Sequence, residues 1–258
     1  PIDQVRGAAP CSLTRPNVID VEAFRAAARA VLERVGALAG GPISLVLPDP
    51  AVRLALVPSE GRSRDAEEAI RFRLHKALPF DVRGARLAHA PAGRDQVLVA
   101  VAPEEVVRGY EEALEGLGLE PGLVEPASLA LLSALPPAPA GDRLLVNWDE
   151  DYVSFVLTRA ERPLLLRTLP GEGSPEAVAR QATGTLQFHR DRLGGAGVAE
   201  AFVRSAAVPA AQAVGVLTRA LGLEPRLVTP WAALGIGEQG DEAQAVAGAA
   251  ACVLRRAA

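Results

Sequence analysis

The sequence predicts an α/β fold, built as one large domain or as two modest lobes, with a small α+β unit set into its first half. Three observations point there. Helical and strand-like apolar periods alternate along most of the chain. Between 52 and 119 the order is strand, helix, strand, strand, helix, and the stretches on either side read as parts of a different sheet. One convincing linker, "PPAPAGD" at 136–142, separates this region from a second run of strands and helices. The 258 residues supply ample core. With 49% hydrophobic but only 4% aromatic residues, that core is mostly Leu, Val and Ala.

The elements follow in order. Residues 19–38 form a helix that Asp20 can cap, with Phe24, Ala27, Ala28, Val31, Leu32 and Val35 on one stripe. "PISLVLPD" (42–49) is a buried strand closed by Pro48, and "VRLALVP" (52–58) alternates as a second. Residues 63–80 are helical, with Asp65 and Glu68 spaced as a capping box and Pro79 as the stop. Strands at 85–91 and 95–103 make a hairpin around Ala92-Gly93-Arg94. A helix at 104–119 ends at Gly116 or Gly118. Residues 121–135 are a strand turning into a helix. After the linker, "LLVNWDEDYVSFVLTR" (144–159) is a hairpin with an acidic turn, extended by a strand at 162–170. A helix at 174–193 has Ser174 as cap and Pro175 in its first turn. A strand at 199–207, a helix at 210–223, a short strand at 224–230 and a small-residue helix at 241–258 complete the chain.

Composition excludes several functions. The net charge of −4 is spread along the chain, without the basic stripe that nucleic acid requires. Lys76 is the only lysine, which with the many Ala, Gly and Pro reads as a coding bias. Cys11 and Cys252 lie at opposite ends, so neither a disulfide framework nor a zinc knuckle is present, and a reducing cytoplasm is expected. The longest apolar run, 245–254, is about half of what a bilayer needs. The chain begins at Pro1 and has no methionine, and is expected to lack its natural N-terminus.

Three stretches carry a family resemblance. The first joins "ISLVLPDPAVRLALVPSE", "DAEEAIRFRLHKALPFDV" and "ARLAHAP". The second is "VLVAVAPEEVVRGYEEALEGLGLEPGLVEPASLALLSAL", and the third "LLVNWDEDYVSFVLTRAERPLLLRTLPG". In this order they resemble PilM-type proteins, the actin-like cytoplasmic components of type IV pilus machines. The helix ending in "LPF" and the stretch ending "VEPASLALL" are the most specific parts. The cytoplasmic domain of GspL-type proteins, from type II secretion, is similar too. The resemblance implies a two-lobed actin-like/RNase-H-like fold. Residues 1–50 and 120–141 would form the first lobe, without its N-terminal strands; 51–119 an inserted α+β subdomain; and 142–258 the second lobe.

The same resemblance implies a nucleotide site, and the residues argue against it. The second phosphate turn of ATP-binding relatives resembles DIG, where the Asp helps to hold the metal and the Gly lets backbone N–H groups reach phosphate. Here Asn147, Trp148 and Asp149 stand at those positions, followed by Glu150 and Asp151. At about 4 Å and an effective dielectric of about 20, each carboxylate facing a phosphate costs about 4 kcal/mol. The glycine-rich adenosine turn resembles SGGGA. Here Ser205 remains, but Ala206, Ala207 and Val208 replace glycines. The first phosphate turn lies outside the given sequence. A degenerate nucleotide site is therefore expected, with no catalytic residue, cofactor or metal. The plainer reading of 149–151, a solvated hairpin turn, leads to the same expectation.

Other motifs are weak. "GIGEQG" (235–240) matches GxGxxG, but no long strand precedes it and too few residues follow. His75, His89 and His189 share no ligand spacing; His75 and His189 are expected on exposed or boundary helix faces. Ser174 and Ser205 lack a nucleophile elbow. "RFRLHK" (71–76) offers Arg71, His75 and Lys76 to anionic lipid or an acidic partner, though Glu67 and Glu68 one turn back favour a solvated face. The expectation is a non-enzymatic scaffold on the cytoplasmic face of the inner membrane. It would hold the tail of a PilN-type partner in a groove near "ISLVLPD" and "LVEPASLALL", or contact a GspE or pilus-platform protein, and a homodimer is open. The alternative is a nucleotide-binding actin-like ATPase of the same machinery, or a free-standing protein that polymerises as actin does.

Overall fold

The computed structural model describes residues 11–36, 40–59, 66–138 and 141–257. The chain divides into two compact units, the first ending at Pro126 and the second beginning at Ala127.

In the first unit, α1 spans Val21–Val35. The Asp20 carboxylate accepts from the Ala23 N–H at its start, and Gly36, at φ 70°, ends it. β1 (Gly41–Leu47) follows, then β2 (Arg53–Pro58) and α2 (Ala66–Leu74). β3 (Ala85–Pro91) and β4 (Gln96–Pro103) form the expected hairpin, and α3 (Glu104–Glu115) leads to β5 (Leu119–Pro126). β1 and β5 pair in parallel, Leu45 opposite Val124. β2, β4 and β3 form a separate antiparallel sheet in that order. α2 covers one face of it, setting Ile70 and Leu74 among Val57, Val82, Val99 and Val101. α1 lies against α3, where the Phe24 and Tyr110 rings meet edge to face at 6.1 Å. The Arg25 guanidinium donates to the carbonyls of Glu112 and Ala113 near the end of α3. A Cβ on Gly116 would come within 2.4 Å of that guanidinium, so the helix stop is also a contact point.

α2 stops at Leu74 rather than running on to 80. Pro79 bars the residue before it from helical backbone, and the chain tightens into single turns at His75 and Ala77. The Arg71 guanidinium then reaches over to the carbonyls of Val82 and Ala85. Asp65, the first member of the expected capping box, lies outside the described residues.

The second unit opens with α4 (Ala127–Leu132). β6 (Asp142–Trp148), β7 (Tyr152–Arg159) and β8 (Arg162–Pro170) form an antiparallel meander. α5 (Pro175–Leu193), β9 (Val198–Ser205), α6 (Ala210–Leu221), β10 (Arg226–Leu227) and α7 (Ala247–Ala257) follow. The sheet order is β10-β9-β6-β7-β8, with β9 parallel to β6 and β10 parallel to β9. β6 and most of β7 are buried on both faces, which is why they read as unbroken apolar runs. On one face Leu144, Val146, Trp148, Phe155 and Leu157 pack against Val178 and Ala182 of α5 and Ala213 and Leu217 of α6. α4 packs against β6 and α7. Pro136 and Pro137, in the expected linker, accept hydrogen bonds from Arg143 of β6. The final helix begins late, because 241–246 forms a 3-10 turn before α7.

Candidate functional site

The two turns matched to nucleotide signatures meet in the structure. β6 and β9 run in parallel with Trp148 opposite Ser205, so both strands end side by side. The carboxyl ends of parallel strands are where open α/β sheets place ligands. The Ala206 N–H donates to the Trp148 carbonyl at 2.9 Å and continues the ladder into the turn. Ser205 Oγ donates to the Val208 carbonyl and accepts from the Val208 N–H, so it closes its own turn.

Asp149, Glu150 and Asp151 do not act alike. Glu150 and Asp151 are exposed. Asp149 accepts from the Glu150 N–H on one oxygen and from Arg204 Nη1, at 2.6 Å, on the other. The turn rests on the loop after β8. Trp148 Nε1 donates to the Gly173 carbonyl at 2.7 Å, and a Cβ on Gly173 would stand 2.1 Å from the Glu150 oxygen. The picture of three carboxylates facing one phosphate is therefore revised: one is neutralised from within and two face water.

Arg204 is the residue that sequence reasoning missed. It sits on β9 opposite Asn147, and its side chain is only 7% exposed. Its guanidinium serves four acceptors: Asn147 Oδ1 at 3.1 Å, Asp149 Oδ2, the Gln244 carbonyl at 2.7 Å and the Ala245 carbonyl at 2.9 Å. Asn147 is fully buried, and its amide also donates to Ser128 Oγ and Tyr152 Oη, both at 3.4 Å. A carboxamide, a carboxylate and two carbonyls are an oxygen set that suits a cation. Here the cation is a permanently charged side chain.

A second polar cluster lies at the other end of β6. Asp142 takes Arg159 on both oxygens, at 2.6 and 2.7 Å, and His189 Nε2 at 2.6 Å. The Arg159 hydrogen bonds hold the Asp142 carboxyl at a pKa of about 2, against the opposing effect of burial. His189, expected on an exposed or boundary face, is fully buried. Gly195, donating its N–H to the His189 carbonyl, lies directly over the ring. His75 and His89 are exposed on other elements. Among the described residues no group of three or more His, Cys, Asp or Glu is placed to hold a metal.

The remaining candidates resolve individually. Ser174 caps α5 by accepting from the Ala177 N–H. Arg71 is tied to Glu67 and to the carbonyls of Val82 and Ala85, while Phe72, His75 and Lys76 stay exposed. "GIGEQG" is a loop between two 3-10 turns, not a strand-to-helix crossing.

No protein-family model matches the sequence, and no curated protein matches it. Solved structures do. A chain of a PilM-PilN type IV pilus biogenesis complex is 22% identical, covers 97% of this chain and 89% of its own length, and superposes with a TM-score of 0.81. A Bacteroides thetaiotaomicron protein with an actin-like ATPase fold is 9% identical over 88% of this chain and 80% of its own, at a TM-score of 0.51. The cytoplasmic domain of EpsL, from the type II secretion system of Vibrio cholerae, is more distant, 15% identical over 69% and 67%, at 0.49. The fold is the actin-like one, shared over nearly the whole chain with the PilM-PilN structure.

Proposed function

We propose that the chain is a non-enzymatic cytoplasmic scaffold of a type IV pilus or type II secretion-like assembly platform. It holds the cytoplasmic tail of a PilN-type inner-membrane partner in a groove of its first lobe and associates with the membrane through that partner. In this reading residues 51–119 are a subdomain inserted into a first lobe of 1–50 and 120–141, and 142–258 are the second lobe. The likeness to the PilM-PilN structure supports the assembly role. Consistent with it, no described helix is long and apolar enough to cross a membrane. The pairing of β1 with β5 supports the groove, because it sets "ISLVLPD" beside "LVEP" along one strand pair, a surface that an extended peptide can follow.

One observation carries the non-enzymatic part of the reading: Arg204 fills the polar end of the β6–β9 pair. All of its donor nitrogens are committed. A phosphate-bound metal would have to displace the guanidinium from Asn147 and Asp149 and strand a buried charge. Ala206 and Ala207 add Cβ atoms where close backbone approach is needed. The residues present do not fit ATP.

The test of the partner reading is a calorimetric titration of the whole chain with a synthetic peptide of the cytoplasmic N-terminal segment of the PilN-type protein from the same organism. Saturable one-to-one binding is expected. No binding at millimolar peptide would contradict the scaffold role.

A further inference from the structure

We infer that the seam between α5 and α6 is a docking groove for an acidic, amphipathic protein segment, a second interaction surface independent of the tail-binding reading above. The two helices pack side by side over one face of the second unit's sheet. On their outer side the seam opens into two cavities. One, of about 370 Å³, is lined by Ala179, Thr183, Val216 and Ala220. The other, of about 300 Å³, is lined by Leu186, Val198, Leu221 and Leu223. The Thr183 hydroxyl stands at the seam, 3.1 Å from the Ala179 carbonyl of its own helix and 3.3 Å from the Ala220 carbonyl of α6. From Ala179 to Arg190 the groove follows α5 for about 16 Å, at about 1.5 Å per residue. That is room for roughly three turns of a partner helix.

Charge names the occupant. Arg180, Arg190 and Arg219 line the two cavities, and Glu176 is the only acid that does. Arg180 has one long, exposed ion pair, with Glu172 at 3.4 Å. Arg190 and Arg219 are exposed and make no ion pair among the described residues. This concentration of arginine stands out on a chain whose net charge is −4. Isolated exposed arginines are ordinary solvated side chains. Here they border an apolar floor, and that pairing is what an amphipathic acidic segment matches. Its apolar side chains enter the cavities, and its carboxylates take the guanidinium forks in the bidentate geometry that arginine favours. Rim charges of this kind steer association and make it salt-dependent.

The test is fluorescence anisotropy of the whole chain with a fluorescein-labelled peptide of two Leu-Glu-Glu-Leu-Ala-Glu-Ala repeats, which puts leucine on one helical face, beside a twin with lysine for every glutamate. The acidic peptide is expected to bind saturably, more weakly as salt rises, and the twin not at all. The exposed double variant Arg190→Glu/Arg219→Glu is expected to weaken binding at least tenfold, and Arg94→Glu, in the β3–β4 turn of the first unit, to leave it unchanged. Retained helical circular dichroism checks that each variant folds, and Arg190→Ala/Arg219→Ala, expected to weaken binding severalfold, repeats the test without charge reversal. Absence of saturation, equal affinity in both double variants and the parent, or capture by phosphatidylglycerol vesicles without capture of the peptide would overturn the inference.

Discussion

Arg204 Nη1 lies 2.6 Å from Asp149 Oδ2, joining the ends of two neighbouring strands by one charged hydrogen bond. The partners are unequal. Asp149 keeps 30% of its side chain exposed, whereas Arg204 is almost wholly enclosed and binds three further acceptors. The arginine thus anchors the acidic turn, the buried Asn147 and the segment leading into α7 together.

Breaking this joint from the two sides should cost different amounts. Arg204→Leu leaves Asn147 Oδ1 and the Gln244 and Ala245 carbonyls short of a donor, and is expected to cost about 3–5 kcal/mol. Asp149→Asn removes one charge-assisted bond and is expected to cost about 2 kcal/mol. Urea denaturation of the two single variants and the double variant measures both values and their coupling. Costs of about 0.5 kcal/mol or less, as for ordinary surface changes, would show that the joint holds nothing together.

Asp142 sets the acid limit of the second unit. Its folded pKa of about 2 lies below the ordinary 3.8. The unfolded chain therefore binds the proton more readily, and stability from this group is full above about pH 4 and is lost as pH falls through 2. The urea midpoint should drop across that window. Asp142→Asn should lower the midpoint at neutral pH and flatten its dependence below pH 4. A parallel acid slope in the variant would assign the loss to other carboxylates.

Two glycines of the second unit should respond in opposite directions to alanine. At Gly173 the new Cβ would stand 2.1 Å from the Glu150 oxygen, so the loop must move off the acidic turn. A loss of about 1–3 kcal/mol is expected. At Gly184, within α5, a Cβ meets nothing within 4 Å, and about 0.5–1 kcal/mol of gain is expected from helix propensity. Thermal melts of the two variants check both signs.

What was legible in the sequence was local. Asp20 and Gly36 bracket α1 because caps act within a turn of their own position, and Ser174 before Pro175 opens α5 for the same reason. The hairpin of β6 and β7 was visible because its two apolar runs lie on either side of a short acidic turn. The resemblance supplied the actin-like fold, which the solved structures share. The rest depended on pairings far apart in sequence. Arg204 in "AFVRSAA" reads as an ordinary polar strand residue until β9 is set parallel to β6, where it faces Asn147. His189 follows Val178, Ala182 and Thr185 on the buried stripe of α5, and Asp142, 47 residues earlier, is the polar partner that makes a histidine acceptable there. The acidic turn suggested carboxylates that repel a phosphate, yet its first carboxylate has a fixed partner from another strand.

Isothermal titration of the chain with ATP and Mg²⁺, run in parallel on the parent and on Arg204→Gly, decides whether the β6–β9 end accepts nucleotide. No saturable heat is expected from the parent at millimolar nucleotide, because the guanidinium already holds the oxygens that a metal would need. Micromolar binding by the parent would contradict that expectation, and would make the β6–β9 end a working nucleotide site.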